Sequence, residues 1–293
     1  MKKTFFFGNY FYGVCAVALS IEATLQQRIT IAPIIYYLLI FCFTVIFYIK
    51  AYISETIGAV ANERTIWYVK NKKQVFNTQV TLISFSVIFA LLLLPNILDG
   101  IKLLNANSLA IVLIFPTTAI LYYGFSTKLS LRNTHWLKPF IIGFVWAGLV
   151  TLFPLFYNQI QSQQQLSLTQ TSCFLFIKNM MFISVLSIMF DIKDYATDYN
   201  KQLKTFVVSF GLRKTIFSIL MPLTIIGFVS FIFFVIINHF PIFRIVVNTI
   251  PFILLLIVAY SLHQRKSIFY YLTIIDGLMF VKAICGVVGM LYF

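Results

Sequence analysis

The chain has 293 residues, of which 60% are hydrophobic and 10% are charged, and its mean hydropathy is +0.93. A soluble globular protein of this length needs more polar side chains than this to cover its surface. The composition therefore predicts an integral membrane protein and argues against a soluble enzyme. The net charge is +14, but the basic residues lie between apolar runs rather than in one stripe, which argues against binding to nucleic acid. The cysteines form no CxxC pair, so neither a zinc site nor a disulfide framework is indicated.

Nine apolar runs are each about long enough to cross a bilayer. They lie near residues 5–25, 31–53, 79–98, 107–125, 138–157, 170–190, 215–238, 241–262 and 268–292. A signal peptide is an alternative for the first run, because Ala16, Val17 and Ala18 resemble a cleavage site, but Glu22 follows them and favours a retained helix. The predicted fold class is therefore an all-α membrane bundle of nine transmembrane helices.

The distribution of basic residues predicts the orientation of this bundle. Seventeen of the 22 lysines and arginines lie at the N-terminus or in the loops after the second, fourth, sixth and eighth runs. The opposite loops hold only Arg28, Lys102 and Arg244. Because cytoplasmic loops are enriched in Lys and Arg, we expect a cytoplasmic N-terminus and an external C-terminus.

The polar connection from Phe190 to Lys214 is the most informative stretch of the chain. Asp191, Asp194 and Asp198 are spaced i, i+3 and i+7, which on a continuous helix would place three carboxylates on one face. Such a group suits Mg²⁺, which takes one or two carboxylates together with substrate phosphates and water. Basic residues suited to a phosphate surround the acids: Lys193, Lys201, Lys204, Arg213 and Lys214. A solvated loop between two membrane helices is the alternative interpretation.

Charged residues inside the apolar runs are costly and therefore are candidates for function. Glu22 and Lys178 lie in the outer halves of the first and sixth runs and could pair across the bundle. Asp276 and Lys282 share the ninth run and could form a second neutral pair. Asp276 alone is placed to face a cavity on the cytoplasmic side.

A second polar loop, from Lys50 to Gln74, lies four runs before the aspartate segment and on the same predicted face. This spacing is typical of a duplicated bundle, so we expect one transmembrane domain with two four-helix halves, about 1–125 and 138–262, and a ninth helix. Glu55 and Glu63 are the acids of this loop. The alternative is a solvated amphipathic helix.

Several stretches resemble the UbiA-type intramembrane prenyltransferases. The run Asp191-Ile-Lys-Asp194-Tyr-Ala-Thr-Asp198, followed by Lys204-Thr205 and Gly211, is similar to the family's second aspartate-rich motif. The stretch from Tyr122 to Pro154 is similar to the family's Tyr…Lys…Arg connection and the helix after it. The run that begins at Cys15 is similar to the first helix of a branch of the family that is common in bacteria. Together they cover most of the chain.

This resemblance implies a transferase that moves a prenyl group from a prenyl diphosphate to an aromatic or related lipophilic acceptor in the bacterial cytoplasmic membrane, with Mg²⁺ as cofactor. Asp191, Asp194 and Asp198 would hold the metal. The residues that would contact the substrate are Lys128, Arg132, Lys204 and, as a weaker candidate for the cavity wall, Tyr122. Fixed positive charge on the diphosphate lets the allylic bond ionise, and an aromatic core keeps water from the cation.

The family's first motif, N-D-x-x-D-x-x-x-D, is absent. Aligning Asn62-Glu63 with its start places Ile66 and Lys70 where acids belong. Either Glu55 and Glu63 complete the metal site, or Lys50 or Lys70 replaces one metal ion by direct charge, or the protein does not catalyse transfer. The alternatives to an enzyme are a non-catalytic protein that binds an isoprenoid and a transporter.

Overall fold

The computed structural model describes residues 2–53, 63–102, 104–124, 131, 134, 136–200, 202, 204–237 and 239–292. Within these ranges all regular secondary structure is helical. The helices of the first half are α1 (Lys2–Phe7), α2 (Tyr10–Gln26), α3 (Ile34–Ile53), α4 (Glu63–Lys70), α5 (Lys72–Ile101) and α6 (Ala106–Tyr123). Those that follow are α7 (Lys138–Ala147), α8 (Phe153–Gln161), α9 (Gln170–Lys193), α10 (Tyr195–Asn200), α11 (Phe206–Phe210), α12 (Leu212–Lys214), α13 (Met221–Ile237), α14 (Ile242–Ser261), α15 (Ile268–Tyr270) and α16 (Gly277–Leu291).

Short π-helical segments join some of these helices end to end. They are Gly148–Leu152 between α7 and α8, Thr215–Leu220 between α12 and α13, and Tyr271–Ile275 between α15 and α16. Pro154 lies two residues after the end of the first segment. Because it has no N–H to donate to the preceding turn, the helix widens there. Gln27 Nε2 donates to the carbonyl oxygen of Thr151 at 2.9 Å and so satisfies a backbone group within the segment.

Among the described residues, seven helical rods, each a single helix or a run of helices joined end to end, are long and apolar enough to cross a membrane. They are Lys72–Leu98, Ala106–Tyr123, Lys138–Gln161, Gln170–Lys193, Leu212–Ile237, Ile242–Ser261 and Ile268–Leu291. The prediction of an all-α membrane protein is therefore confirmed for the described residues. The first two predicted spans correspond to α2 and α3, of which α3 carries a shorter apolar stretch, Ile34–Lys50.

Most consecutive rods pack beside one another, and α16 packs against α2. Helix α2 packs on α3 and α3 on α5, while α7 packs on α9, α9 on α13 and α13 on α14. Helix α16 packs against both α14 and α2 and so joins the end of this series of helices to its beginning. The span made of α7 and α8 and the span of α9 are the most buried of the seven, since 61% and 56% of their apolar windows are buried against only 17% for α5 and for α6. The exposed apolar faces of α5 and α6 therefore suit contact with lipid.

Candidate functional site

The aspartate segment contributes a buried group of charges at the C-terminal end of α9. Lys138 Nζ donates to Asp191 Oδ1 at 2.6 Å, and Lys193 Nζ lies 3.3 Å from Asp194 Oδ2. We call these four residues the aspartate cluster. The Asp191 side chain is only 2% exposed, whereas 27% of Lys138 and 44% of Asp194 remain exposed. The cluster therefore extends from the bundle interior toward its polar end.

Close packing of α7 against α9 brings Lys138 to Asp191. A Cβ atom on Gly143 would lie 2.2 Å from Ser184 Oγ and 2.6 Å from the carbonyl oxygen of Met180, so only glycine permits this approach. The two helices run in opposite directions, because Lys138 precedes Gly143 on α7 whereas Asp191 follows Ser184 on α9. The small size of Gly143 thus lets α7 approach α9 closely enough for Lys138 to contact Asp191.

One carboxylate oxygen of Asp191 accepts no hydrogen bond from the described residues. Its Oδ1 accepts from Lys138, whereas its buried Oδ2 has no hydrogen-bond partner among the described residues. A buried carboxylate oxygen without a donor costs free energy, on the order of 1–3 kcal/mol. Such an atom marks a place where a cation or a hydrogen-bond donor would be stabilising.

The three aspartates do not lie on one continuous helix. Helix α9 ends at Lys193, Asp194 is the residue after it, and α10 then begins at Tyr195 and includes Asp198. Across the part of the chain that the structure describes, no three side chains of the His, Cys, Asp or Glu type are grouped so that they could hold a metal ion. The Mg²⁺ site held by all three carboxylates stays a prediction.

A second buried polar group surrounds Arg64, whose side chain enters the bundle from α4. The residue is 2% exposed, and its guanidinium donates to the carbonyl oxygen of Phe7, to Asn9 Oδ1 and to Tyr52 Oη, the last at 2.9 Å. It also lies over the Tyr52 ring, 4.1 Å from the centroid. Tyr68 Oη accepts from Asn9 Nδ2 at 2.8 Å and donates to Phe7 O at 3.0 Å. This network fixes the guanidinium in place.

The surroundings of Arg64 favour its charged form. Burial by itself lowers the pKa of the guanidinium, but the neighbouring hydroxyl groups of Tyr52, Tyr12 and Tyr68 and the Asp276 carboxylate outweigh it, so the pKa is raised. Burial also raises the pKa of the Tyr68 hydroxyl, which therefore stays neutral. Arg64 is thus a permanent cation inside the bundle.

Electrostatic interactions link Arg64 to the aspartate cluster. Arg64 and Lys193 repel one another, and both attract the carboxylate of Asp276. The Asp276 side chain is 2% exposed and interacts with the Tyr12 hydroxyl. Residues from α2, α4, α9 and α16 therefore meet at one end of the bundle. The arrangement can hold an anionic group by means of Lys138, Lys193 and Arg64.

The predicted site residues have different positions in the structure. Tyr122 is buried, and its hydroxyl interacts electrostatically with Lys138, so Tyr122 lies beside the aspartate cluster. Lys204 is exposed. Glu63 is at the surface, where 64% of its side chain is exposed and Lys3 Nζ lies 3.8 Å from its Oε2. Asp198 lies on α10 and is half-buried. Glu55, Lys128 and Arg132 lie outside the described residues.

Two of the residues that shape this site, Lys138 and Arg64, carry no signal of that role in the sequence. Lys138 is one of the seventeen basic residues on the predicted cytoplasmic side, and no local pattern joins it to Asp191, which is 53 residues away. Arg64 interacts electrostatically with Lys193, whereas the cations that the sequence suggests in place of a metal ion are Lys50 and Lys70, and their role stays a prediction. Lys50 lies over the Tyr123 ring at 5.3 Å, and Lys70 is exposed.

At the other end of the bundle lies what we call the glutamate cluster: Glu22, Gln26, Lys178 and Lys282. Glu22 is 1% exposed, with Lys282 Nζ 2.7 Å from its Oε2 and Lys178 Nζ 3.8 Å from its Oε1. Gln26 Nε2 also donates to Oε1 at 2.7 Å. The predicted pairing of Glu22 with Lys178 is confirmed. The predicted pairing of Asp276 with Lys282 is wrong, because Lys282 lies about one and a half turns further along and bonds to Glu22 instead.

The aspartate cluster fits magnesium in the chemistry of its donors. Asp191 Oδ2 is an unused, buried carboxylate oxygen, and Asp194 follows it with a partly exposed carboxylate. Mg²⁺ needs only one or two such ligands when phosphate oxygens and water complete its coordination. Asp191 and Asp194 would therefore be its first ligands here.

Comparison of the chain with protein-family models, with curated protein sequences and with solved structures gives no match.

Proposed function

We propose that this protein is a membrane-embedded transferase of the UbiA type, which moves a prenyl group from a prenyl diphosphate to an aromatic or related lipophilic acceptor with the help of Mg²⁺. The observation that supports it best is Asp191, a buried carboxylate whose Oδ2 has no partner within the described residues, placed beside Lys138 and Lys193. A site with both a free anionic ligand and fixed cations is suited to a metal-bound diphosphate.

The chain's own residues have separate tasks in this proposal. Lys138 and Lys193 hold the diphosphate next to the aspartates, and Arg64 adds a fixed charge that compensates for the missing first aspartate-rich motif. Fixed cations stabilise the negative charge that develops as the allylic C–O bond breaks. Mg²⁺, held by Asp191 and Asp194 and assisted by Asp198, would supply further positive charge to the leaving group.

Aromatic side chains near Asp276 suit an allylic cation. The rings of Tyr12 and Tyr48 stack at 4.3 Å between centroids, and Trp146 Nε1 donates to Tyr48 Oη at 2.7 Å. These three rings belong to α2, α3 and α7, and Tyr12 also interacts with Asp276. Their faces would stabilise the cation and keep water from it until the acceptor attacks.

We also infer that α2 and α3 complete a set of nine membrane crossings, with the aspartate segment on the cytoplasmic face of a bacterial inner membrane. The loop-by-loop asymmetry of Lys and Arg supports this topology. In a cysteine-free background, a membrane-impermeant maleimide added to intact bacterial cells should label Gln164→Cys but not Ser209→Cys. Both positions are exposed in the structure. Labelling of Ser209→Cys alone would reverse the orientation.

Binding of farnesyl diphosphate to the purified protein tests the enzymatic proposal. We expect binding that requires Mg²⁺ and that Asp191→Ala and Asp198→Ala abolish, while Glu63→Gln, which changes an exposed carboxylate, leaves it intact. Binding that is indifferent to both aspartate variants would exclude the proposed transferase.

A second candidate function is metal-independent binding of an isoprenoid diphosphate without transfer. The ion pair between Lys138 and Asp191 favours it, because a lysine bound to the aspartate occupies one of the two oxygens that a metal would use. This candidate predicts binding that resists chelation of Mg²⁺ and is lost in Lys138→Met. A transporter would instead move substrate across proteoliposomes without chemical change.

A further inference from the structure

A cavity of about 660 Å³ lies on the outside of the bundle, away from the aspartate cluster. The end of α4, the turn after it and the first turns of α5 form its walls, and Tyr10 of α2 lies across from them. Two of the lining residues are lysines, Lys70 and Lys73, and both are exposed. The cavity is therefore an open, positively charged pocket at the end of the bundle where α5 begins.

The chemistry of the lining changes with depth along α5. Lys73 lies at the mouth, Asn77 and Thr78 lie about one turn below, and Leu82 lies at the far end. At 1.5 Å per residue, the distance from Lys73 to Leu82 along the helix is roughly 14 Å. Positive charge, hydrogen-bonding side chains and an apolar residue thus follow one another within that distance.

The same helix continues into a surface suited to hydrocarbon. Helix α5 is long and apolar enough to cross a membrane, and Phe85 and Ile88, beyond the end of the cavity, are 46% and 48% exposed. Trp67, an aromatic residue of the kind enriched at membrane boundaries, lies on α4 one turn before Lys70. The cavity therefore lies at the boundary between the polar and apolar zones of a bilayer.

We propose that this cavity is a binding site for an anionic glycerophospholipid. Lys70 and Lys73 contact the phosphate, helped by the partial positive charge of the N-terminus of α5. Asn77 and Thr78 donate hydrogen bonds to the glycerol ester oxygens, and the acyl chains follow Leu82 and the exposed apolar face beyond it. Basic pockets between transmembrane helices bind anionic head groups in this way. Free inorganic phosphate shares the head-group chemistry but would use only the mouth of the cavity.

Lys72 provides a matched control for this site. It is adjacent in sequence to Lys73, is exposed and carries the same charge, but it does not line the cavity. A general attraction of the basic surface to anionic lipid would depend equally on all three lysines. A built site would depend on Lys70 and Lys73.

The test measures binding of phosphatidylglycerol, phosphatidylcholine and inorganic phosphate to the full chain purified in a neutral detergent. We expect phosphatidylglycerol to bind best, and Lys70→Gln and Lys73→Gln each to weaken it about fivefold and together about thirtyfold, because one lysine at a membrane surface contributes about 1 kcal/mol. Lys72→Gln should change the affinity less than twofold. Thr78→Val should weaken phosphatidylglycerol but not inorganic phosphate.

Several results would overturn the proposal. Equal affinity for phosphatidylcholine would show that the charge of the lipid is not recognised. An effect of Lys72→Gln as large as that of Lys73→Gln would show a diffuse surface attraction. Inorganic phosphate that competes fully at the affinity of the lipid would assign the cavity to a free anion. None of these results depends on prenyl diphosphate binding, so the two proposals can fail separately.

Discussion

In the glutamate cluster both oxygens of Glu22 have partners, whereas in the aspartate cluster only one oxygen of Asp191 does. The two carboxylates are almost equally buried, at 1% and 2% exposure. Their lysines differ, since those of Glu22 are 7% exposed and the one paired with Asp191 is 27% exposed. Burial alone therefore does not distinguish the two clusters, but the use of their oxygen atoms does.

This difference indicates different roles for the two ends of the bundle. A buried charge that forms ion pairs with neighbouring helices holds those helices together, and Glu22 of α2 joins α9 and α16 in this way through Lys178 and Lys282. A buried carboxylate with an unused oxygen lowers stability unless something else binds it, which is a common feature of functional sites. We therefore expect changes at Glu22 to affect stability and changes at Asp191 to affect binding.

The largest effect is expected for Glu22→Leu. The substitution leaves Lys178 and Lys282 buried without their carboxylate, which should lower the free energy of unfolding by about 3–5 kcal/mol. Denaturant unfolding of the purified protein in detergent micelles measures this change. Glu63→Gln is the control, because its ion pair with Lys3 is exposed and should matter little. Equal stability of the two variants would contradict the structural role of Glu22.

A smaller loss is expected for Lys138→Met, which leaves the buried Asp191 carboxylate without its cation. Because Lys138 is partly exposed, water can reach the carboxylate more easily than at Glu22, so we expect a loss of about 2–3 kcal/mol. The same unfolding measurement applies. Lys138→Arg keeps the charge and should recover most of the stability. If Lys138→Met unfolded like the wild type, the ion pair would have no structural value.

The packing around Glu22 gives a third comparison. A Cβ atom on Gly286 would lie 2.3 Å from Glu22 Cγ, so Gly286→Ala must push the carboxylate away from its lysines. We expect a loss of about 1–3 kcal/mol in thermal unfolding measurements. Gly277 lies at the start of the same helix and has open space around its Cβ position, so Gly277→Ala should be neutral or slightly stabilising. A reversed order of the two variants would contradict the packing.

The smallest effect on stability is expected for Asp191→Asn. This change removes a buried negative charge that lacks one partner, and the half-buried Lys138 can turn toward solvent, so the change should stay below about 1 kcal/mol. Calorimetry in detergent measures it, and prenyl diphosphate binding is measured on the same sample. Loss of stability as large as in Glu22→Leu would show that the two clusters have the same role.

The helical architecture could be predicted because long apolar runs have few alternatives. Each predicted run overlaps one of the helices α2, α3, α5, α6, α9, α13, α14 or α16, or the continuous rod made of α7 and α8. The contact between Lys138 and Asp191 could not be predicted, because it depends on how closely two helices approach at Gly143, and spacing along the chain does not report this.

Arg64 shows a different obstacle to prediction. Helix α4 buries Arg64, Thr65 and Tyr68 while Ile66 and Val69 are 56% and 50% exposed. This is the reverse of the pattern in a soluble protein, where apolar residues face the core. At a membrane boundary, lipid can cover the apolar face while the polar face meets a polar interior. A pattern search that places apolar residues inward would therefore assign the wrong face.

The bond between Lys282 and Glu22 joins residues 260 positions apart, because α16 returns to pack against α2. During synthesis at about 5–20 residues per second, Glu22 emerges on the order of tens of seconds before Lys282 exists. Until Lys282 is made, the ion-pair partner available to Glu22 is Lys178 of α9, whose Nζ lies 3.8 Å from Oε1. Docking of α16 thus adds the shorter of the two ion pairs of Glu22, and a chain that terminated before Lys282 would keep only the longer one.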